Sequence, residues 1–270
     1  FHGGILSPRN TIERKYIVNS NGSKIDTLTI RRVVVWSRLN LQYEDVLLGD
    51  STIRIAKHLG YNSEVLFVNV HENEHTSLVA LYTSEPETNN FIHLEQKGNR
   101  NVEFNVEDEI YTVDPNRIYS EVGLLMTLGD NVSTSDSSYD YASRLASKIL
   151  KHIDSYNVIV AMHNNTDENY SILSYDRGGG ESINTKDLFI NSEMDADDFI
   201  YTTSKKIFKG FKAKGISVIL QDNKKCIDDG SLSVYCGNEN KLYVNIETEN
   251  GHLEMQKYLM DTLREILGTI

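Results

Sequence analysis

The sequence has little of several features that would place it in a specialised class of protein. It has three prolines and two cysteines among 270 residues, which excludes a proline-rich or fibrous chain and a scaffold built mainly from disulfides. No apolar run reaches the roughly 20 residues needed to cross a bilayer, and no hydrophobic signal segment is present. We therefore expect an ordinary globular protein without membrane insertion.

Positive charge is also scarce. The chain has 27 Lys and Arg residues against 39 Asp and Glu residues, which gives a formal net charge of -12 and a pI of about 5.1. Because a polyanion is bound by a basic surface, this balance excludes a nucleic-acid ligand and disfavours anionic membranes. We therefore expect no nucleic-acid partner, and the sequence does not indicate an oligomeric state.

The two cysteines, Cys226 and Cys236, flank the turn signal Asp228-Asp229-Gly230, which could bring them together. A disulfide between them would imply export, which is slightly favoured, whereas two free thiols would suit the cytosol. The chain begins with Phe1, so we expect that an upstream segment has been removed and the compartment stays open.

Strand and helix signals alternate from about residue 27, without a repeat, a low-complexity tract or a proline-rich linker. We predict a single catalytic domain over residues 1–270, of the α/β class, with a mixed, largely parallel central sheet and helices on both faces. Residues 84–100 form a polar stretch with no predicted element. The predicted strands are 27–36, 64–70, 157–162, 216–220, 231–235 and 242–247, and the predicted helices are 51–59, 138–153, 197–214 and 253–267.

In sheets of this kind, functional residues collect at the carboxyl ends of the strands. His71 and His163 directly follow the predicted strands 64–70 and 157–162, and Glu247 ends the strand 242–247. The sequence therefore predicts that these side chains meet at one edge of the sheet.

The segment His71-Glu72-Asn73-Glu74-His75 allows two interpretations. Within a helix, H-E-x-x-H would be the zincin motif, with His71 and His75 as zinc ligands and Glu72 as the base. Because the segment directly follows a strand, we prefer H-x-x-E, in which His71 and Glu74 bind zinc from a turn and His163 is the third ligand.

Two histidines and one glutamate with an open fourth position form a catalytic rather than a structural zinc site. We predict one Zn²⁺ per chain, whose bound water needs a carboxylate to accept its proton. Glu247 shares a strand face with Asn245 and is the predicted base, and Glu249, one strand step nearer to solvent, is the alternative.

Four motifs follow one another along the chain: His71-x-x-Glu74, Asp114-Pro115-Asn116-Arg117, Ala161-Met162-His163 and Asn245-Ile246-Glu247. In the order of these motifs the chain resembles the zinc carboxypeptidases, and in their spacing it resembles the compact relatives of that family, the succinylglutamate desuccinylases and aspartoacylases. The resemblance covers roughly residues 60–250 and implies a carboxypeptidase-like fold. It also implies that Asn116 and Arg117 bind the free carboxylate of the substrate, which suits a planar guanidinium.

The resemblance implies a zinc-dependent hydrolase that cleaves an amide bond next to a free carboxylate, with Glu247 assisting the attack of zinc-bound water. Metallocarboxypeptidases and N-acyl amino acid deacylases both fit, so the expected substrates are peptides or acyl-amino acids. The alternative is a catalytically silent binding module of the same fold.

The sequence departs from this family at the arginine that usually precedes the Asn-Arg pair and stabilises the oxyanion. Residues 101–116 contain neither arginine nor lysine. The possible replacements are Arg100, Arg177 and the pair Asn164 and Asn165. Three further side chains have open roles: Tyr175 and Tyr235 could offer a phenol to the substrate, and His252 could support Glu247.

Overall fold

The computed structural model describes residues 41–61, 64–85, 87–166 and 170–268, together with the backbone of two short strands near the amino terminus. The chain divides into two compact units, Phe1–Arg38 and Leu39–Ile270. In the first unit, β1 (Ile17–Val18) pairs antiparallel with β2 (Lys24–Ile25). The predicted strand 27–36 lies outside the described residues, and the single domain over residues 1–270 stays a prediction.

The second unit is built on a nine-stranded sheet in the order β10-β12-β11-β13-β9-β5-β6-β4-β3. Strands β13, β9, β5 and β6 run parallel at its centre. Toward the edges, β11 and β12 also pair in parallel, and the other four pairs are antiparallel. β7 and β8 form a separate hairpin. The strands are β3 (Leu41–Leu48), β4 (Ser51–His58), β5 (Val65–Asn69), β6 (Asn90–Glu95), β7 (Val102–Val106), β8 (Glu109–Val113), β9 (Val158–Asn165), β10 (Thr185–Phe189), β11 (Phe199–Thr202), β12 (Val218–Gln221) and β13 (Leu242–Glu249).

Helices cover both faces of this sheet. Alternate residues of β9 point to opposite faces, so that Ile159 packs with α2, α3 and α5, whereas Val160 packs with α1, α4 and α6. The helices are α1 (His75–Thr83), α2 (Glu121–Leu128), α3 (Ser137–Ile153), α4 (Lys205–Ala213), α5 (Leu232–Asn238) and α6 (Leu253–Gly268). The predicted mixed α/β class is confirmed, but the sheet is less parallel than predicted, since four of its eight strand pairs are antiparallel.

None of the helices in the described part of the chain is long and apolar enough to cross a membrane.

The long periodic segments were predicted correctly, but the predicted helix 51–59 is wrong. It is strand β4, in which Ile53 and Ile55 are buried and Arg54 between them is exposed, the alternation of a strand. The turn that joins β3 to β4 contains Gly49 at a φ of +54°, where a Cβ would lie 1.8 Å from the carbonyl oxygen of Asn105. A tight turn that requires glycine is typical of a β-hairpin, and it favours a strand over a helix for residues 51–59.

Three other predictions differ from the structure. The predicted helix 197–214 is wrong in its first part, because β11 precedes α4, whose helix begins after the cap Ser204. The predicted strand 231–235 is wrong, because α5 begins after Ser231. The polar stretch 84–100 contains β6, whose side chains are buried on both faces and therefore show no alternation.

Candidate active site

Three neighbouring parallel strands bring the predicted site residues together. β5, β9 and β13 are adjacent in the sheet, so their carboxyl ends meet at one edge. His71 follows β5, while His163 on β9 lies beside Glu247 on β13 in the strand register. Glu74, the N-cap residue of α1, completes the group.

The side chains of His71, Glu74 and His163 form a buried cluster. The Nδ1 atoms of His71 and His163 lie 2.8 and 2.9 Å from the two carboxylate oxygens of Glu74 and 3.2 Å from each other. Two nitrogen ligands of a tetrahedral zinc ion, each about 2.0–2.1 Å from the metal, are about 3.3 Å apart. The three donor groups therefore have the chemistry and spacing of a divalent-metal site.

The second nitrogen of His71 is held by Asp114. Nε2 of His71 lies 2.8 Å from Oδ1 of Asp114, which also accepts a hydrogen bond from the backbone N–H of Asn116. Burial lowers the pKa of His71, but the carboxylates of Glu74 and Asp114 outweigh it and raise the pKa overall. A carboxylate in this position fixes the imidazole so that its other nitrogen faces the metal. The sequence does not indicate this role, because Asp114 is marked there only by its place two residues before Asn116.

The electrostatics of the other two donors also fit a metal. Burial lowers the pKa of His163, which favours the neutral imidazole that binds metal ions. Burial would raise the pKa of Glu74, but the adjacent His163 and His71 bring it well below its usual range. Glu74 is therefore an ionised carboxylate between two imidazoles.

The zincin interpretation is wrong. α1 begins at His75, so that residues 71–74 are not helical, and the exposed His75 is not part of the cluster. The carboxylate of Glu72 accepts hydrogen bonds from the backbone N–H groups of Gln96 and Gly98, which gives it a structural role.

Glu247 is a buried carboxylate beside the cluster. It is 5% exposed, and burial together with the charge of Glu74 raises its pKa to about 8. Nδ2 of Asn245 donates a hydrogen bond of 3.0 Å to its Oε2. A carboxyl group with a pKa near neutrality is suited to accept and return a proton.

Glu249, the alternative base, does not line the cleft. Its carboxylate lies 3.3 Å from Nε2 of His252, and Nδ1 of the same ring lies 3.0 Å from Asp198. The prediction that His252 supports Glu247 is therefore wrong.

The predicted carboxylate-binding pair, Asn116 and Arg117, lines the same cleft as Glu74, His163 and Glu247, and this cleft has a volume of about 410 Å³. Nη1 of Arg117 donates to the backbone oxygen of Asn116, and its Nε lies 3.5 Å from Asp229. Oδ1 of Asn116 accepts from the backbone N–H of Leu232. These contacts attach the pair to the loop before α5, a neighbour that no sequence motif indicated.

Among the possible replacements for the missing arginine, Arg100 contacts the cluster of His71, Glu74 and His163 through Glu74. Its Nη1 lies 2.7 Å from Oε1 of Glu74, its side chain is 48% exposed, and it lines the cleft. Arg177 is exposed and does not line the cleft. Asn164 hydrogen-bonds to Thr248 and to the backbone N–H of Ser77, which gives it a structural role.

The two tyrosines differ in position. Tyr175 lines the cleft, where its hydroxyl hydrogen-bonds to that of Tyr170, whereas Tyr235 donates to Asp154 and does not line the cleft.

Cys226 and Cys236 are both free thiols.

Comparisons with known proteins find similarity at the level of solved structures. No protein-family model and no curated protein matches the sequence. An aspartoacylase family protein from Mesorhizobium loti has a TM-score of 0.47 at 11% identity, covering 85% of this chain and 67% of that one. A metallo-carboxypeptidase from Burkholderia cenocepacia has a TM-score of 0.43 at 11% identity, covering 84% and 65%. The murein-tripeptide amidase of Escherichia coli O157 has a TM-score of 0.42 at 10% identity, covering 84% and 91%.

Proposed function

We propose that this chain is a zinc-dependent hydrolase that cleaves an amide bond next to a free carboxylate. The observation that carries the proposal is the convergence of His71, Glu74 and His163 beside the buried Glu247. A structural metal site usually has four protein ligands, whereas three ligands, of which Glu74 and His163 line the cleft, leave a position for water or substrate.

The zinc ligands would be Nδ1 of His71, the carboxylate of Glu74 and Nδ1 of His163. A zinc ion held there would polarise the substrate carbonyl and lower the pKa of a water molecule. Asp114 holds the imidazole of His71 in the orientation that this requires.

Glu247 carries the proton through the reaction. It accepts a proton from the attacking water as the oxygen adds to the amide carbon, and it delivers that proton to the leaving nitrogen as the C–N bond breaks. Burial raises the pKa of Glu247, which suits a group that accepts a proton and then returns it.

Two groups of the cleft orient and stabilise the substrate. Asn116 and Arg117 bind its free carboxylate, for which the guanidinium offers parallel N–H donors. Arg100 stands beside the zinc ligand Glu74 and stabilises the negative charge that develops on the carbonyl oxygen. Arg100 thus takes the role for which residues 101–116 supply no cation.

The missing arginine is the argument for the alternative, a catalytically silent module of the same fold. The position of Arg100 at the cluster and the raised pKa of Glu247 both favour catalysis instead. The two functions differ in whether turnover, and not only binding, depends on Glu247.

The test combines metal analysis with turnover of a panel of carboxylate-bearing amides. Glu247→Gln keeps the shape of the side chain but cannot accept a proton, so we expect turnover to fall about 10²–10⁴-fold while zinc stays bound. His163→Ala should lose the zinc, and the matched control Glu249→Gln should keep both zinc and turnover.

Each remaining outcome has a defined meaning. Undiminished turnover in Glu247→Gln would contradict the assigned base. A wild-type protein that binds zinc but hydrolyses none of the panel would support the silent module. A wild-type protein that takes up no zinc on reconstitution would refute the metal assignment.

A further inference from the structure

The part of the cleft beyond the metal cluster is polar and carries an excess of carboxylates. Among the described residues that line the cleft, the charged groups away from the cluster and Glu247 are Arg117, Asp229 and Glu181. Only two aliphatic side chains in the described part of the chain, Ile227 and Val234, line the cleft. A pocket for an apolar side chain is usually lined mainly by apolar groups.

Binding of the substrate carboxylate makes this excess larger. Arg117 lies 3.5 Å from Asp229 in the free protein, but the substrate carboxylate would share the same guanidinium. Oε2 of Glu181 accepts from Nδ2 of Asn184, which is a neutral partner. Two protein carboxylates and one substrate carboxylate would then face a single cation, an imbalance that a cation on the substrate corrects.

Asn245 adds an acceptor on the floor of the cleft. It is 9% exposed, its Nδ2 is used by Glu247, and its Oδ1 has no hydrogen-bond partner among the described residues. Asn245 and Glu247 share one face of β13, about 7 Å apart along the strand. Buried polar atoms in proteins usually have a hydrogen-bond partner. A substrate N–H group next to the cleaved bond would donate the hydrogen bond that Oδ1 of Asn245 lacks.

The tyrosines of the cleft fit the same kind of side chain. Tyr201 and Tyr243 line the cleft from β11 and β13. Aromatic rings pack against the alkyl stem of a long basic side chain and attract its cationic end.

We propose that the residue released by cleavage has a cationic side chain, whose ammonium or guanidinium group is bound by Asp229 and Glu181, with Oδ1 of Asn245 accepting a further hydrogen bond. This specificity rests on the hydrolase function proposed above, because it names the substrate class of the same site.

The test compares three N-acylated dipeptides that differ only in the released residue: lysine, its uncharged analogue norleucine, and glutamate. We expect kcat/KM for the lysine substrate to exceed that for norleucine roughly tenfold or more, with glutamate the poorest. Asp229→Asn and Glu181→Gln should each reduce the ratio of lysine to norleucine. Glu239→Gln, a substitution on the exposed surface, should leave this ratio unchanged.

The specificity and the hydrolase function fail in different ways. Equal kcat/KM for lysine and norleucine, or a ratio that survives both substitutions, would overturn the specificity and leave the hydrolase intact. If none of the three is hydrolysed, the proposed function fails, and calorimetric titration of the zinc-loaded protein with free lysine, norleucine and glutamate decides the specificity. Tighter binding of lysine supports it, and binding of lysine no tighter than norleucine contradicts it.

Discussion

Glu247 couples the chemistry of the site to the stability of the folded chain. Its pKa rises from 4.5 to about 8 on folding because of burial and the nearby charge of Glu74. Between these two values the unfolded chain loses the proton and the folded chain keeps it, so stability falls as the pH rises through this window. We predict that metal-free Glu247→Gln is more stable than metal-free wild type at pH 9, by up to about 5 kcal/mol, and nearly equal to it at pH 5.

Urea unfolding of both metal-free proteins at pH 5, 7 and 9 measures this difference. Glu254→Gln serves as the control, because the side chain of Glu254 is 87% exposed on α6 and its substitution should change the free energy of unfolding little at any pH. If wild type and Glu247→Gln show the same pH dependence, ionisation of Glu247 does not oppose folding.

At the scale of residues, the sequence allowed the prediction of those candidate ligands and of the candidate base that lie at the ends of recognisable strands. His71, His163 and Glu247 were predicted because a buried strand precedes or contains each of them. Arg100 and Asp229 reach the cleft from segments whose positions depend on tertiary packing. Their roles could not be assigned from spacing along the chain.

At the scale of elements, α2 packs unusually closely against the loop that precedes α5. A Cβ on Gly123 would lie 2.2 Å from Cα of Gly230 and 2.5 Å from the carbonyl oxygen of Arg117. The backbone N–H of Tyr119 donates to the carbonyl oxygen of Gly230, which joins the same two segments. The position of Asn116 and Arg117, the proposed carboxylate-binding pair, therefore depends on this glycine contact.

We predict that Gly123→Ala destabilises the protein by about 1–3 kcal/mol, because overpacking outweighs the better helix propensity of alanine. The KM for substrates with a free carboxylate should rise as the loop of Arg117 moves. Gly180→Ala is the matched control, since a Cβ there meets nothing within 4 Å. Denaturant unfolding and steady-state kinetics measure both effects, and equal stability of the two variants would refute the packing argument.

The elements that the sequence predicted well are those whose periodicity persists. α3 and α6 extend over four or more turns with one buried face, and β9 and β13 lie in the buried centre of the sheet. β4, β11 and α5 are only four to eight residues long, and each had an apolar pattern compatible with either state. Their structures are decided by the neighbours against which they pack.

At the scale of the whole molecule, the proposed metal site joins distant parts of the chain. His71 and His163 are 92 residues apart in sequence, and their Nδ1 atoms are 3.2 Å apart in the folded unit. A bound ion therefore links the loop after β5 to the end of β9, and unfolding must release it. The metal should stabilise the native state in proportion to its affinity and concentration.

We predict that zinc raises the free energy of unfolding by about 4 kcal/mol when its free concentration is about a thousand times its dissociation constant. The effect should weaken at acidic pH, because protonation of His71 and His163 competes with the metal. His163→Ala should lose the zinc-dependent stabilisation, whereas His75→Ala should keep it, since His75 is exposed and outside the cluster. Thermal unfolding over a series of buffered zinc concentrations measures the shift. A shift of equal size in wild type and His163→Ala would place the bound zinc elsewhere in the chain, because an ion that stabilises folding must lose that effect when one of its native ligands is removed.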